Sequence, residues 1–202
     1  MRNIPTDIFK LNTIKLPVEA GSLIVAEPFL SETYFNHAVI AIIEHNEDNG
    51  SMGVVLNNPS GYTLDELIEN VEIDQTVPVY CGGPMSLDRL YFVHTLGDRI
   101  FHGASEFGPG LWIGGDFDAV LGYVNSGYQL QGCLRFFLGY SGWSPRQLES
   151  EIEQSVWAVA GRNYSPRALL ESNGDSMWHR TVSAMGSPYR SWLLHPRDIH
   201  AN

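Results

Sequence analysis

Four sets of residues in this 202-residue sequence have types and spacings that could do chemistry. The first is Glu44-His45, which could act as an acid–base pair or supply metal ligands. It follows the apolar run AVIAII at residues 38–43. Because neighbours in a strand point to opposite faces, the two side chains do not easily share one site. The alternative is that they are polar residues ending a strand.

The second set is Cys81-Gly82-Gly83-Pro84, which follows an expected strand at residues 77–80. Two glycines after a strand could present backbone N–H groups to a small ligand, with the cysteine as a nucleophile. No Lys or Arg falls inside the loop, and no helix pattern follows it directly. The alternative is a tight turn where two backbones approach each other.

The third set is GYSGW at residues 139–143, between an expected strand and an expected helix. A serine hydrolase carries Gly-x-Ser-x-Gly at such a place, but here Trp143 replaces the last glycine. Asp175 and His179 follow in triad order, yet they lie four residues apart on one expected helix, and no His-Gly-Gly-Gly oxyanion loop exists. We interpret Tyr140 and Trp143 as core or pocket aromatics.

The histidines form the fourth set. The dipeptide GD at residues 97–98 predicts a hairpin loop between strands at 90–96 and 99–104, which places His94 and His102 on opposite faces. The remaining histidines are dispersed along the sequence, at His37, His179, His195 and His200. With no cluster of histidines or cysteines in the sequence, we expect no metal site and no cofactor.

The elements around these sets predict an α+β domain. Strands are expected at residues 22–27 and 38–45, and the second reads as buried on both faces. The turn residues DNG at 48–50 then lead to a return strand at 52–57, which Pro59 ends. Further strands are expected at residues 111–113 and 133–139. Hairpins mixed with grouped helices favour α+β over a regular βαβ alternation.

Helices are predicted where a capping residue precedes apolar residues at helical spacing. The expected caps are Thr63 with Glu66, Asp116, Ser144 with Pro145 and Gln147, and Ser165 with Pro166. A last helix is expected around Trp178, Val182 and Met185. In the helix after Ser144, the apolar face is Leu148, Ile152 and Val156, and the residues expected to lie away from it are Glu149, Glu151 and Glu153.

Composition limits the function classes. The net charge of −11, from 12 Lys and Arg against 23 Asp and Glu, disfavours tight binding to nucleic acid or anionic membranes. Two cysteines make no disulfide framework, and we find no secretory signal and no run long enough to span a membrane. We therefore expect a cytoplasmic protein with a single domain over residues 1–202.

Several of these motifs, taken in order, resemble the AlgH/YqgE family of bacterial proteins. The segments are EHNEDNGSMGVVLNNP, CGGP, DRLYFVHTL and LGYSGWSPRQLESEIEQSVW, preceded by EPFLSETYFNHAVIAII. The resemblance covers roughly residues 20–160. It implies an α+β fold in which a branched, mixed or antiparallel β-sheet curls into a partial barrel with helices packed on it. It supplies no catalytic residues, and a label of transcriptional regulator travels with the family.

We expect a non-enzymatic binding or regulatory protein whose partner is a protein or a small molecule. Any effect on transcription would be indirect, because we expect no tight DNA binding. The alternative is a small-molecule-binding protein or enzyme with a pocket between residues 81–84 and 139–143. The candidate ligand-binding residues are Glu44, His45, Asn57, Gly82, Gly83, Pro84, His94, Gly139, Tyr140 and Trp143. Of these, Asn57, Gly82, Gly83 and Tyr140 are expected around one concave patch.

Overall fold

The structure is a computed structural model that describes residues 16–69, 71, 75–172 and 174–194. The strands within them are β1 (Leu23–Ala26), β2 (Val39–Asn46), β3 (Gly50–Val55), β4 (Pro59–Thr63), β5 (Pro78–Cys81), β6 (Met85–His94), β7 (Ser105–Gly108), β8 (Leu111–Ile113), β9 (Leu134–Trp143) and β10 (Trp157–Gly161). The helices are α1 (Leu64–Leu67), α2 (Phe117–Asn125), α3 (Gln147–Glu153), α4 (Pro166–Glu171) and α5 (Gly174–Ala184). Two short 3-10 helices follow, Ser187–Tyr189 and Trp192–Leu194.

The sheet branches at β9. Its main order is β10-β1-β2-β3-β9-β6-β8-β7, and β4 and β5 lie off this path. Strand β9 pairs antiparallel with β6 along most of its length, parallel with β5 through residues 136–138, and antiparallel with β3 through residues 141–143. The sheet is therefore mixed and open, and the predicted α+β class with a branched sheet is confirmed.

The two ends of the sheet approach each other where Gly21, just before β1, contacts Gly108 in β7. A Cβ atom on Gly21 would lie 2.6 Å from the Cα atom of Gly108, so the contact leaves no room for a side chain. The hydroxyl of Tyr164 donates to the carbonyl of Gly21 over 2.8 Å. This approach curls the sheet into the expected partial barrel.

Strand β2 is buried on both faces, as its unbroken apolar run predicts. Val39, Ala41 and Ile43 belong to a core that also holds residues of α4 and α5. The alternate residues Ile40 and Ile42, with Ala38 just before the strand, face a second core beside α3. Because side chains alternate along a strand, this one strand serves two cores.

The predicted hairpin between β2 and β3 is also confirmed. The side-chain oxygen of Asn46 accepts hydrogen bonds from the backbone N–H groups of Asp48 and Asn49, each over 2.9 Å. Gly50 has a φ of 99°, which glycine adopts without steric cost. The return strand ends at Val55 and not at Pro59, which instead begins β4 and pairs with β5.

The prediction of a hairpin around Gly97 is wrong. Residues 99–104 form turns instead of a strand, and the carbonyl of Gly97 accepts from the N–H groups of Ile100 and Phe101. The carboxylate of Asp98 accepts from the N–H of Gly103 over 2.8 Å. Since the ring of Phe101 is fully buried, the chain folds back as a compact loop that carries it inward.

The expected strand at residues 133–139 is longer than predicted. β9 continues to Trp143, so residues 139–143 are part of a strand and not a loop between a strand and a helix. Gly139 has a φ of 65°, which lets the strand change partners from β5 to β3 there. The motif therefore does not lie at a turn from a strand to a helix, where a serine hydrolase places its nucleophile.

Most predicted helix caps are confirmed, including the Thr63–Glu66 capping box and the side-chain cap of Asp116. The helix after Ser144 begins only at Gln147, because Arg146 adopts a left-handed φ of 61°. The N–H of Ser144 still donates to the side-chain oxygen of Gln147 over 2.9 Å. Val156, expected on the face of this helix, lies beyond its end.

Helix α5 is confirmed and is fastened to the sheet by Trp178. The indole N–H of Trp178 donates to the carbonyl of Ala26 over 2.9 Å, and its ring is fully buried. Among the helices of the described residues, none combines the length and the apolar character that a membrane crossing requires.

Candidate functional site

The CGGP segment and the middle of β9 are in direct backbone contact. The N–H of Gly82 donates to the carbonyl of Leu138 over 2.8 Å, and its carbonyl accepts from Val55 over 2.9 Å. A Cβ atom on Gly82 would collide with the carbonyl of Gly139, and one on Gly83 would collide with the backbone of Tyr140. Both glycines are buried, so they let two backbones approach and do not themselves line a cavity.

Ser141 lies in this junction and does not form a catalytic triad. Its hydroxyl, 1% exposed, donates to the carbonyl of Gly82 over 3.0 Å. Asp175 and His179 interact with each other over 3.1 Å and with His37 instead. The order Ser…Asp…His in the sequence is therefore not matched by the geometry.

An extended groove runs over the end of β9. It has two halves, one on each side of Gly142 and Trp143. One half, with a volume of about 750 Å³, is lined by Glu44, His45 and Tyr140 among others. The other half, about 590 Å³, extends toward α3 and β10. Both halves share Met85, Gly142 and Trp143, so we treat them as one site and call it the Trp143 groove.

Glu151 is a charged group in the second half of the Trp143 groove, and its carboxylate is held by three side-chain donors. One carboxylate oxygen accepts from the indole N–H of Trp143 over 2.9 Å and of Trp157 over 2.7 Å. The other oxygen accepts from the side-chain amide of Gln147 over 2.8 Å. The expectation that Glu151 lies away from the packed face of α3 is wrong, because two indole donors hold it against the sheet.

His45 occupies the first half of the groove. Its Nδ1 lies 2.9 Å from the hydroxyl of Ser51, and its Nε2 lies 3.4 Å from a carboxylate oxygen of Glu149. The His45 side chain is only 11% exposed, whereas Glu44 is exposed. A register shift between Ile42 and Glu44 interrupts the regular alternation of β2. Both members of the Glu44-His45 pair line the same cleft, although they are neighbours in the strand.

Five of the candidate residues from the sequence line the Trp143 groove: Glu44, His45, Pro84, Tyr140 and Trp143. Three lie in the backbone junction beneath it: Gly82, Gly83 and Gly139. Two do not line either half: Asn57 and His94.

Asn57 is a buried cross-link and is not part of the expected concave patch. Its side-chain oxygen accepts from the N–H of Val39 over 2.8 Å. Its amide donates to the carbonyl of His37 over 2.9 Å and of Gly174 over 3.0 Å. These three bonds tie the start of β2 and the start of α5 to the end of β3.

His94 is enclosed by aromatic rings at the other end of the sheet. Its Nε2 lies 3.0 Å from the carbonyl of Gly114, and its ring packs edge-on against Phe101 at 4.8 Å. Burial lowers the pKa of His94, and the hydrogen bond to Gly114 only partly opposes this shift. These contacts favour a neutral imidazole with a role in packing.

Arg135 is a polar core residue that the sequence analysis did not identify. It is 5% exposed, and its guanidinium donates to the carbonyls of Leu56 and Ser172, each over 2.7 Å. Its central carbon lies 4.3 Å from the ring centre of Tyr80. Burial lowers the pKa of Arg135. The signal in the sequence for this buried charge is a lone arginine within the apolar segment LRFFLGY.

A group of metal-binding residue types lies apart from the groove. His37 Nδ1 is 2.6 Å from one oxygen of Asp175, and His179 Nε2 is 3.1 Å from the other. We call these three residues the His37 cluster. Two of the histidines that the sequence analysis treated as dispersed are therefore brought together by the fold.

Comparisons with known proteins place this architecture in a family. Residues 23–190 match the family described as "DUF179: AlgH-like". The chain is 38% identical to a UPF0301 protein of Parabacteroides distasonis, across 97% of this chain and 98% of that protein. It is 39% identical to a UPF0301 protein of Chlorobium limicola, across 84% and 88% of the two chains.

Two solved structures share the fold. The solution structure of the AlgH protein from Pseudomonas aeruginosa has a TM-score of 0.66 and 27% identity, covering 93% of this chain and 98% of that one. A crystal structure of a protein from Corynebacterium diphtheriae has a TM-score of 0.69 at 22% identity, covering 88% and 93%. With the family match over most of its length, the chain belongs to the AlgH-like family of UPF0301 proteins.

Proposed function

We propose that this protein is a non-enzymatic binding protein that uses the Trp143 groove to bind a basic, partly apolar peptide segment of a partner protein. The observation that carries the proposal is the carboxylate of Glu151, which two indole N–H groups hold in the wall of an aromatic groove. Indole donors orient this carboxylate without neutralising its charge. The fixed negative charge therefore favours a cationic group on the ligand.

The charge of the rest of the lining supports this choice. The described lining of both halves includes Glu32, Glu44 and Glu151 but no Lys or Arg. The whole chain adds a net charge of −11, which attracts basic partners over long distances. The same charge opposes nucleic acid, so any regulatory effect would pass through a protein partner.

Exposed apolar side chains favour a peptide over a compact metabolite. Met85, shared by both halves of the groove, is 48% exposed, and Leu87 beside it on β6 is 46% exposed. Methionine adapts to different apolar partners because its side chain is unbranched and polarisable. Tyr140 and Trp143 add aromatic surface beside Met85. A groove that joins two clefts in this way suits an extended segment with alternating basic and apolar residues.

Fluorescence anisotropy with two labelled peptides tests the proposal. One peptide repeats Arg-Leu, and the other repeats Glu-Leu. We expect the basic peptide alone to bind, with an affinity that falls as salt is added. Glu44→Gln and Glu32→Gln should each weaken binding about two- to fivefold, because each removes one exposed charge pair.

Glu153→Gln is the matched control, since Glu153 is exposed on α3 but does not line the groove. The affinity of the Glu153→Gln variant for the basic peptide should equal that of the unchanged protein. Equal binding of both peptides, or equal effects of all three substitutions, would contradict the proposal. If free arginine or spermidine binds at the same site, and the basic peptide binds no more tightly than they do, the ligand is a small cation and not a peptide.

A further inference from the structure

The His37 cluster combines ligand types that transition metals prefer. Its candidate donor atoms are two imidazole nitrogens and one carboxylate oxygen, and all lie within 4.8 Å of one another. Zinc sites use these donors at about 2.0–2.2 Å from the ion, so neighbouring donors sit roughly 3.3–3.5 Å apart. His179 Nε2 lies 3.1 Å from one oxygen of Asp175, near that range. His37 Nδ1 lies 2.6 Å from the other oxygen, so these two atoms must separate by roughly 0.7–0.9 Å to admit an ion.

The cluster joins one fixed ligand to two adjustable ones. His37 is fully buried, and its ring stacks on the indole of Trp178 at 4.0 Å with an angle of 6° between the planes. The side chains of Asp175 and His179 are 38% and 39% exposed. Small side-chain rotations can bring these two around an ion, and their exposure gives the ion a path from solvent.

The fold explains why the three residues meet. Asp175 and His179 are separated by one turn of α5, so they lie on the same face of that helix. Asn57 joins the carbonyl of His37 to the carbonyl of Gly174, the first residue of α5. The backbone on both sides of the cluster is thereby held in place independently of any ion.

We propose that His37, Asp175 and His179 form a binding site for a divalent transition-metal ion of the zinc class. Two histidines and one carboxylate are a common protein donor set for zinc, and water completes the coordination. Because the ligating imidazole nitrogens and the carboxylate must be deprotonated to hold the ion, binding weakens at acid pH. This site is separate from the Trp143 groove and does not depend on the peptide proposal.

Zinc titration of the full chain, without a polyhistidine tag, tests the proposal. Isothermal titration calorimetry should show one ion per chain, and zinc at 100 times its dissociation constant should raise the melting temperature by about 5–10 °C. Cobalt(II) should give the visible absorption of a bound, low-coordinate ion. His179→Ala and Asp175→Asn should each weaken binding more than about 100-fold, because each removes a ligand.

His102→Ala is the matched control. His102 also pairs with an aspartate four residues away, Asp98 at 3.7 Å, but its side chain is 94% exposed and it has no third ligand in the described residues. A double substitution of His195 and His200 by alanine tests the chain segment outside the described residues. Both controls should bind zinc normally, and circular dichroism should confirm that every variant is folded. Zinc binding that survives His179→Ala, that is lost in either control, or that is absent from the unchanged protein overturns the proposal.

Discussion

Replacing Asn57 by alanine should destabilise the protein strongly, although the residue touches no ligand. The substitution leaves the buried N–H of Val39 without its acceptor, and it removes the donor to the carbonyls of His37 and Gly174. A buried unsatisfied group costs about 1–3 kcal/mol, and each lost hydrogen bond about 0.5–1.5 kcal/mol. We expect a loss of about 3 kcal/mol in the free energy of unfolding, or about 6–12 °C in melting temperature.

Asn57→Asp separates hydrogen bonding from packing. The new carboxylate keeps the acceptor for Val39 but faces the carbonyl oxygens of His37 and Gly174, so its pKa in the folded state rises above the unfolded value near 4. The stability due to a protonated carboxyl is present below the unfolded pKa and is lost as pH rises through the folded pKa. The deficit relative to the unchanged protein should therefore shrink from pH 7 to pH 4, whereas that of Asn57→Ala should stay constant.

Urea denaturation at several pH values measures both effects. Asn163→Ala is the control, because Asn163 is exposed and its substitution should change the free energy of unfolding by less than about 0.5 kcal/mol. A cost below about 1 kcal/mol for Asn57→Ala would refute the cross-link as a source of stability. Parallel pH profiles for the two Asn57 variants would refute the assignment of its amide as the donor.

Four further outcomes are expected. Gly139→Ala should cost about 2–4 kcal/mol in urea denaturation, because φ is 65° and the new Cβ would lie 2.5 Å from the carbonyl of Met85. Ser141→Ala should cost only about 1 kcal/mol, for one hydrogen bond to Gly82, and should leave peptide binding unchanged. Burial raises the pKa of Tyr164 to about 12, so stability should fall as pH rises from about 10 toward 12, and Tyr164→Phe should flatten that fall in alkaline denaturation curves. Mixed-sequence duplex DNA should show no submicromolar binding by fluorescence anisotropy at about 0.15 M salt.

Features set by neighbouring residues were predictable from the sequence. The Asp48-Asn49-Gly50 turn and the Asp116 cap depend on contacts within a few positions, and both form as expected. The burial of β2 on both faces follows from its uninterrupted apolar residues. The branched sheet was expected only from the family resemblance, because no local pattern shows that one strand has three partners.

The features that the sequence did not reveal depend on distant parts of the chain. His37 and Asp175 are 138 residues apart, so only the packing of α5 on the sheet brings them together. Arg135 bonds to Leu56, 79 residues away. The expected direction of Glu151 was wrong because Glu151 lies three residues after Leu148, on the same side of α3, and because two indoles in separate strands provide donors.

The position of β1 in the sheet has a consequence for folding during synthesis. β1 lies between β2 and β10, and its partner β10 comes from residues 157–161, late in the chain. While the ribosome is still making the middle of the protein, the apolar strand LIVA has one open edge that can pair with another nascent chain. Truncated chains that lack β10 should therefore aggregate, and the sheet can be completed only when most of the protein has been translated. Its many long-range pairings also predict folding on a millisecond-to-second scale.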